Sequence, residues 1–327
     1  MIISKTPYRI SFFGGGSDYP EWYLKNDGTV ISTTINKYVY VSCRKLNKYF
    51  NHNYRLSYSR VEEVKKIDQI LHPAIRAILL NSKIKEGMEI HYDGDLPSKS
   101  GMGSSSSFVV GLLNVINYYQ KNKISKKILA KKSFFIERNF LKENVGYQDQ
   151  IAASHGGFNK INFSKKKEFV VNKIKLQKKF ENAMNNNLFL VFTGIKRRAE
   201  KIAGTYTSEL NNKKKLNIKK ILNHVTTANK LILEDNPNDF GRLLNETWVE
   251  KKNLSPFVTN SNIDELYNLG IKNGAFGGKL LGAGGGGFIL FYVDKNQIYN
   301  FKKKLNKFNI LHVKPENEGS KIIYNES

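Results

Sequence analysis

The chain of 327 residues contains a single cysteine, Cys43. One thiol cannot form a disulfide within the chain, and it cannot supply the several thiolates of a structural zinc cluster. The six histidines show none of the HxH or HExxH spacings of zinc sites. No apolar run reaches membrane-spanning length, and the first residues lack the basic and apolar segments of a secretory signal. These absences predict a soluble, cytoplasmic protein.

Acidic residues are also scarce, with 28 Asp and Glu against 53 Lys and Arg, which gives a formal net charge of +25. Such a surplus suits anionic partners, among them nucleotides, phosphorylated metabolites, nucleic acid and acidic lipid. Much of it is lysine spread through asparagine-rich segments, which an AT-rich coding sequence would also produce. The charge therefore does not choose among these partners.

Proline is the third scarce residue, with 7 copies against 25 glycines, while 40% of the residues are hydrophobic. This composition is typical of a packed globular protein, and the length predicts two domains of moderate size. Alternating β-branched and aromatic residues predict a sheet over residues 1–60. Helical spacing predicts helices over 67–80, after Ser107, and over 125–144.

The stretch from Asp95 to Ser107 reads DLPSKSGMGSSSS and leads into an apolar helix. Gly101 and Gly103 let a ligand approach the main chain closely. The serines supply hydroxyl and free N–H groups at a helix start, where the dipole favours negative charge, so phosphate is the expected occupant. No lysine follows Gly103, which argues against the P-loop of Walker-type NTPases. A serine-capped helix after an ordinary glycine turn would show the same letters.

A second glycine-rich stretch, TPYRISFFGGGSDYP, places Arg9 on a predicted strand and Asp18 just beyond three glycines. A tight backbone with one cation and one carboxylate suits a polyhydroxylated substrate: Asp18 would accept hydrogen bonds from hydroxyl groups, and Arg9 would neutralise charge. The alternative is a plain turn between strands with an Asx residue.

Two carboxylates lie in unusual places. Glu137 falls on the apolar face of its predicted helix, between Phe134 and Leu141. A buried carboxylate needs an ion pair or a bound cation, and both explanations stay open. Asp149 follows a glycine and opens the next predicted helix, where it is either a functional carboxylate or a cap.

The third glycine-rich stretch, GAGGGG at 282–287, matches G-x-G-x-x-G formally. A dinucleotide fingerprint needs a strand before it and a helix after it, whereas here the order is inverted. The chain also lacks a G-x-S-x-G nucleophile elbow with partners, which argues against a hydrolase triad.

In this order, the three stretches resemble the motifs of the GHMP kinase superfamily, which includes galactokinase and the homoserine, mevalonate and phosphomevalonate kinases. The first motif resembles TPYRISFFGGGSDYP, the second LPSKSGMGSSSS and the third KLLGAGGGGFILFYV. Between them, ERNFLKENVGYQDQIAASHGG has the family's helix glutamate and Gly-x-x-Asp pattern. PYRISFFGGGSDYPEWY, GYQDQIAASHGGFNKINF and FTGIKRRAEKI most resemble bacterial D-glycero-D-manno-heptose 7-phosphate kinases, and fucokinase domains share much of that pattern.

The resemblance implies an α+β fold with two domains. The N-terminal domain, residues 1–185, would be like the second domain of ribosomal protein S5, and the C-terminal domain, residues 186–327, would be ferredoxin-like. The active site would lie between them.

The resemblance also implies roles for individual residues. The phosphates of ATP would be bound by Pro97, Gly101, Met102, Gly103, Ser104, Ser105 and Ser106. The magnesium ligands would be Glu137 and either Ser104 or Ser105, a choice left open because Ser106 and Ser107 stand where many members have small apolar residues. Asp149 would contact the reacting hydroxyl as base or orienter, and Arg9 would place phosphate or acidify that hydroxyl. The sugar would be bound by Gly15, Gly16, Ser17 and Asp18, and the cleft closed by Gly284, Gly285 and Gly286.

A substrate that already carries a 7-phosphate needs a second anion site. The candidates are Arg197 and Arg198, directly after a predicted strand and turn, because guanidinium groups match phosphate oxygens. A solvated, basic helix start would have the same sequence.

The sequence therefore predicts a kinase that uses ATP and Mg²⁺ to phosphorylate the anomeric hydroxyl of heptose 7-phosphate, giving a 1,7-bisphosphate for surface-polysaccharide synthesis. The alternatives are a 1-kinase for an unphosphorylated sugar and, from another class, a basic nucleic-acid-binding protein. The last would lack stacking aromatics between its basic residues and would leave Glu137 and Asp149 unexplained. We expect small-molecule partners, no nucleic acid and no membrane, and a homodimer is left open.

Overall fold

The computed structural model describes residues 1–166, 168–196 and 199–326. The first part of the chain alternates long strands with short helices. Its strands are β1 (Ile2–Phe13), β2 (Gly28–Lys45), β3 (Tyr54–Ser57), β4 (Val61–Val64), β5 (Met88–Gly94), β6 (Phe158–Ser164) and β7 (Glu168–Lys173). Its α-helices are α1 (Pro20–Tyr23), α2 (Pro73–Ser82), α3 (Ser104–Tyr119), α4 (Lys126–Phe135) and α5 (Gln148–His155).

The second part is richer in helices. Its helices are α6 (Lys178–Asn186), α7 (Ala199–Gly204), α8 (Lys215–Leu233), α9 (Pro237–Lys252), α10 (Ser261–Lys272) and α11 (Ile298–Lys304). Its strands are β8 (Leu188–Phe192), β9 (Ala275–Leu280), β10 (Phe288–Val293), β11 (Ile310–His312), β12 (Pro315–Glu316) and β13 (Lys321–Asn325). None of the described helices has the length and apolar character needed to cross a bilayer.

The strands form two sheets. Among the described residues, the larger sheet has nine strands: its main path is β13-β1-β2-β5-β3-β4, β6 and β12 also pair with β2, and β7 pairs with β6. The smaller sheet has the order β11-β8-β10-β9 and is antiparallel throughout. Helix α3 packs on β1 and β2, and helix α9 packs on β9. Two sheets with helices packed on them confirm the predicted α+β class.

The end of the chain returns to the larger sheet. Strand β13 pairs with β1 and β12 pairs with β2, although both follow the smaller sheet in sequence. Between them, the Ser320 amide donates to the Ala153 carbonyl at 2.8 Å, and the Gly157 amide donates to the Glu316 carbonyl at 2.9 Å. Residues 315–320 therefore rest on the C-terminal end of α5. The predicted division at residue 185 stays a prediction.

Three predicted helices have different ends in the structure. The helix expected after Ser107 already begins at Ser104. The helix expected over 67–80 begins at Pro73, after a 3-10 turn, because proline fits the first helical position and disfavours helix for the residue before it. The helix expected over 125–144 changes at Phe135 into a π-helical turn, Ile136–Phe140. Such turns are rare and often mark functional positions, and this one carries Glu137.

An aromatic cluster joins the two parts of the chain. Phe240 of α9 is fully buried, and its ring centroid lies 5.3 Å from that of Phe12, 4.9 Å from that of Phe13 and 5.0 Å from that of Phe180. Phe12 also stacks on Phe158 of β6 at 5.4 Å. Because Phe12 and Phe13 end β1, this cluster fixes the strand that carries Arg9 against the C-terminal helices.

Replacing Phe240 with alanine should lower the free energy of unfolding by about 3 to 5 kcal/mol, because the substitution leaves a cavity among four rings. Urea unfolding of the purified variant measures this. Tyr299→Ala is the matched control, since that ring is 78% exposed, and should change the free energy of unfolding little. Equal losses in the two variants would contradict the assignment of the cluster as a core between the two parts.

Candidate active site

The four serines at the start of α3 divide into two pairs. The helix begins at Ser104, after Gly103 in the left-handed conformation with φ of 74°. The Ser107 hydroxyl donates to the Pro7 carbonyl at 3.0 Å and ties the helix to β1, and the Ser106 hydroxyl is also buried. Ser104 is half-buried and Ser105 is exposed, so this pair lies where a phosphate would meet the helix N-terminus.

Arg9 and Asp149 form a bidentate ion pair beside the stretch from Asp95 to Ser107, which is called the serine loop below. Arg9 Nε donates to Asp149 Oδ1 and Arg9 Nη2 donates to Asp149 Oδ2, each at 2.7 Å. Arg9 Nη1 also donates to the Gly101 carbonyl at 2.8 Å, and the Arg9 amide donates to the Met102 carbonyl at 3.3 Å. One side chain thus joins β1, the serine loop and the first turn of α5. The Asp149 side chain keeps 22% of its surface exposed and can accept a further hydrogen bond.

Asp18 lies buried in the turn that follows β1. Its Oδ1 accepts from the Gly16 amide at 3.0 Å and its Oδ2 accepts from the Gln148 amide at 3.3 Å. A side chain at Gly146 would place its Cβ 2.0 Å from Asp18 Oδ2, so only glycine fits there. Burial, with the Asp149 charge in addition, raises the pKa of the Asp18 carboxyl to about 6. The Ser17 hydroxyl donates to the Gly14 carbonyl at 2.8 Å and so shapes this turn.

Glu137 is fully buried on the π-helical turn. The Ser106 hydroxyl lies 3.0 Å from both of its carboxylate oxygens, and the Gln150 amide donates to Oε2. Burial raises the pKa of Glu137 to about 8, and the charges of Glu143 and Asp149 add to the effect, while the hydrogen bonds from Gln150 and Ser106 oppose it. A carboxylate kept in such a place is well explained by a cation that arrives with the ligand.

The residues around Glu137 fit a magnesium ion. Among the described residues, no group of three or more His, Cys, Asp and Glu side chains is close enough to hold a metal. Mg²⁺ does not need one, because it commonly uses one or two protein oxygens together with water and nucleotide phosphates. Glu137 and the Ser106 hydroxyl are such oxygens at the start of α3.

The third glycine-rich stretch packs directly on the serine loop. A Cβ at Gly101 would lie 2.6 Å from the Leu281 carbonyl oxygen, and one at Gly282 would lie 2.7 Å from the Gly101 Cα, so both close approaches require glycine. The Phe288 amide donates to the Ser100 carbonyl at 3.2 Å. Lys251 of α9 supports this loop by donating to the Leu280 and Gly282 carbonyls, each at 2.6 Å.

The structure brings together most of the predicted site residues. Arg9, Gly101, Gly103 and Asp149 are in contact, and a Cβ at Gly103 would lie 3.2 Å from Asp149 Oδ2. Residues Gly284, Gly285 and Gly286 instead pack on three residues of the second part: Val258, Phe257 and Ile195. The predicted phosphate ligands Arg197 and Arg198 lie outside the described residues.

Sequence reasoning did not find three residues at the site. Gln150 hydrogen bonds to Glu137, Gly146 makes room for Asp18, and Lys279 is a buried lysine of β9. Gly146 could have been found as the glycine of the Gly-x-x-Asp pattern. Lys279 had a signal too, since a lysine inside an apolar strand that leads into a glycine loop is unusual.

Comparison with known proteins agrees with this geometry. The model of the GHMP kinases N terminal domain matches residues 68–157, and the model of the GHMP kinases C terminal matches residues 228–311. A D-glycero-alpha-D-manno-heptose 7-phosphate kinase from Campylobacter jejuni is 31% identical over 94% of this chain and 93% of its own. An L-fucokinase/L-fucose-1-P guanylyltransferase from Bacteroides fragilis is 25% identical over 88% of this chain and 34% of its own.

A solved structure gives the same fold. The crystal structure of a D-glycero-D-manno-heptose 1-phosphate kinase from Bacteroides thetaiotaomicron superposes with a TM-score of 0.80 at 22% identity, covering 100% of both chains. The chain belongs to the GHMP kinases. Within that family it is an ATP-dependent sugar kinase, which confirms the predicted class of enzyme.

Asp18 should give the pH profile of the enzyme an acid limb, that is, a loss of activity at low pH. Its folded pKa of about 6 lies above the ordinary value of 3.8, so the carboxyl is protonated below about pH 6 and ionised above it. If the ionised form accepts hydroxyl hydrogen bonds, kcat/KM for the sugar should fall as the pH drops through 6. Asp18→Asn should lower kcat/KM at pH 8 and remove that limb, while Asp93→Asn, at an exposed position on β5, should keep it. A pH profile of Asp18→Asn with the limb unchanged would contradict this role.

Proposed function

We propose that this GHMP kinase transfers the γ-phosphoryl group of ATP to the anomeric C1 hydroxyl of D-glycero-D-manno-heptose 7-phosphate, which gives the 1,7-bisphosphate. The observation that carries the proposal is the two-pronged Arg9–Asp149 pair at the mouth of the serine loop. It holds a carboxylate beside the place where a phosphate would lie. The heptose is proposed from the name of the Campylobacter jejuni relative.

In the proposed reaction the sugar hydroxyl oxygen attacks the γ-phosphorus, and the bond from that phosphorus to the β–γ bridging oxygen breaks, which releases ADP. Asp149 would accept the hydrogen bond of the hydroxyl and then its proton, or would only orient it. Both Asp149 oxygens already accept from Arg9, and each has a second lone pair for the substrate. The Arg9 guanidinium places positive charge next to the transferred group. Positioning and electrostatic stabilisation are the main needs of phosphoryl transfer.

The nucleotide phosphates would bind at the start of α3. The ligands proposed there are Pro97, Gly101, Met102, Gly103, Ser104, Ser105 and Ser106. Mg²⁺, when bound, would neutralise the charge that develops on the β and γ phosphates. The contact of Ser106 with Glu137 adds Ser106 to Ser104 and Ser105 as a candidate magnesium serine. Glu137 would be the carboxylate ligand.

The sugar would bind at the turn that follows β1. Gly15, Gly16, Ser17 and Asp18 form this turn, and Asp18 is its only carboxylate. Gly284, Gly285 and Gly286 would close the opposite side. Arg197 and Arg198 stay the prediction for the 7-phosphate. The proposed partners are a sugar phosphate and ATP in the cytoplasm, without nucleic acid or membrane, and a homodimer stays open.

A second candidate is a 1-kinase for an unphosphorylated sugar. The similarity to an L-fucokinase favours it. The roles proposed for Arg9, Asp18 and Asp149 would also serve a sugar that carries no phosphate. The two candidates differ in whether the substrate carries a phosphate. The relatives named as heptose kinases also differ between a 7-phosphate and a 1-phosphate.

Asp149→Asn should lower kcat by about 100 to 10,000-fold, because the amide cannot take the hydroxyl proton and one of its groups would face Arg9 with a donor instead of an acceptor. Steady-state ADP release measures kcat, and thermal unfolding checks that the variant folds. Asp93→Asn is again the control. Near-normal kcat in folded Asp149→Asn would remove Asp149 from the reaction.

ADP release with MgATP should be selective for heptose 7-phosphate across a panel that also holds heptose 1-phosphate, sedoheptulose 7-phosphate, mannose, fucose, galactose, homoserine and mevalonate. Phosphorus NMR of the product should then show phosphates at C1 and C7. Turnover of free fucose or mannose alone would favour the second candidate. Turnover of heptose 1-phosphate in place of the 7-phosphate would contradict C1 as the acceptor.

A further inference from the structure

Lys279 is a buried lysine that connects the two parts of the chain. It lies in β9, directly before the glycine-rich stretch at 282–287, and the residue is only 4% exposed. Its Nζ donates a hydrogen bond of 2.8 Å to the carbonyl of Phe12. Phe12 is the second-last residue of β1 and lies two residues before Gly14, where the turn proposed to bind the sugar, the substrate turn, begins. The Lys279 ammonium group thus joins β9, which leads into the glycine-rich stretch at 282–287 (the glycine loop), to β1, which leads into the substrate turn.

The surroundings of Lys279 are unfavourable for a positive charge. Among the described residues, no carboxylate lies within ion-pair distance of its Nζ, and Arg9 is the charged neighbour with the largest effect on it. Burial lowers the pKa of Lys279 to about 7, and the Arg9 charge lowers it further in the same direction. A methionine would fill the same space without this cost.

The other titratable groups packed around β9 do not supply the missing negative charge. His224 of α8 has a lowered pKa, because of burial first and the Lys279 charge among other causes. The charges of Glu246 and Glu250 of α9 oppose this by raising the pKa of His224, and the Glu246 carboxylate lies 3.9 Å from the His224 Nε2. Lys251, also of α9, donates to the Leu280 carbonyl and so places another ammonium group next to β9. Among these described groups, therefore, none gives Lys279 a carboxylate partner.

We propose that Lys279 is a positioning residue of the phosphoryl transfer. It fixes the glycine loop against the substrate turn, and its side chain becomes fully protonated when a phosphate-bearing ligand binds beside Arg9. The inference rests on the proposed function, since it takes the space beside Arg9 and the serine loop as the place where the nucleotide phosphates bind. Because Lys279 is buried, it acts through Phe12 and the field at Arg9 rather than by touching the substrate.

This role predicts that ATP binding takes up a proton. At about pH 8 much of Lys279 is neutral in the free enzyme, and the negative phosphates would raise its pKa, so a proton enters with the ligand. Calorimetry of ATP binding in HEPES and in Tris buffer, without a divalent cation, measures the uptake through the difference in apparent enthalpy. Glu137 can take up a proton in the same experiment, so the part that belongs to Lys279 is the difference in uptake between the wild type and Lys279→Met. Lys279→Met and Lys279→Arg should both lose this uptake, because neither side chain changes its charge there.

Turnover and stability separate a positioning role from a structural one. Lys279→Met should lower kcat/KM by about 100-fold, since the substrate turn loses its anchor. Its melting temperature should stay at or above that of the wild type, because the variant no longer buries an unpaired cation. Lys279→Arg should keep more of the activity. Lys173→Met, at an exposed position on β7, is the matched control and should change neither quantity.

Several outcomes would overturn the proposal. Wild-type kcat/KM in folded Lys279→Met would do so, as would a lower melting temperature with unchanged turnover per folded molecule. If Lys279→Met does not fold, Lys279→Arg decides: unchanged proton uptake rejects the role, and lost uptake with retained turnover supports it. If the wild type phosphorylates no sugar, the proposed function fails, but the proton uptake on ATP binding still tests Lys279.

Discussion

The ion pair between Arg9 and Asp149 is the contact on which the site depends. Arg9 lies on β1, its guanidinium binds the Gly101 carbonyl of the serine loop, and Asp149 opens α5. A shift of any of these elements would break a bond of 2.7 or 2.8 Å. The pair also sets the charge of the site: since Asp149 balances Arg9, further positive charge for the phosphates has to come from elsewhere. Lys279 and a metal ion held by Glu137 are the sources that we propose.

Asp18 and Glu137 are two buried acids with different surroundings. Asp18 is held by backbone amides beside the substrate turn, and its pKa of about 6 leaves it ionised at neutral pH. Among the described residues, the Glu137 carboxylate accepts hydrogen bonds only from the Ser106 hydroxyl and the Gln150 amide, and its pKa of about 8 leaves it mostly protonated. Backbone amides in a fixed turn can stabilise a charge in the free enzyme, whereas Glu137 needs an added cation to stay charged. The first environment suits hydroxyl groups and the second suits a metal.

Much of the site could be predicted from local sequence, because each glycine-rich stretch is a turn with its chemistry inside it. Gly101, Gly103 and the serines predicted a phosphate loop at a helix start, and the structure has that helix begin at Ser104. The helix over 125–144 was only partly right, since a π-helical turn has no clear period in the sequence. The contact of Ser106 with Glu137 and the link from Lys279 to Phe12 could not be read from the chain either. Both depend on contacts between residues far apart in sequence, 31 positions for Ser106 with Glu137 and 267 for Lys279 with Phe12.

The return of β12 and β13 to the larger sheet has a consequence for synthesis of the chain. Ile2 pairs with Asn325, so the outer edge of β1 stays uncovered until β13 has been synthesised. Until then the nascent sheet exposes unpaired N–H and C=O groups along β1, a template for wrong pairing with other chains. The end of α5 likewise lacks its contacts with residues 315–320. The helix that carries Asp149 therefore gains these contacts late, and active enzyme should form only after residues 315–325 have been synthesised, at a rate set by these long-range contacts.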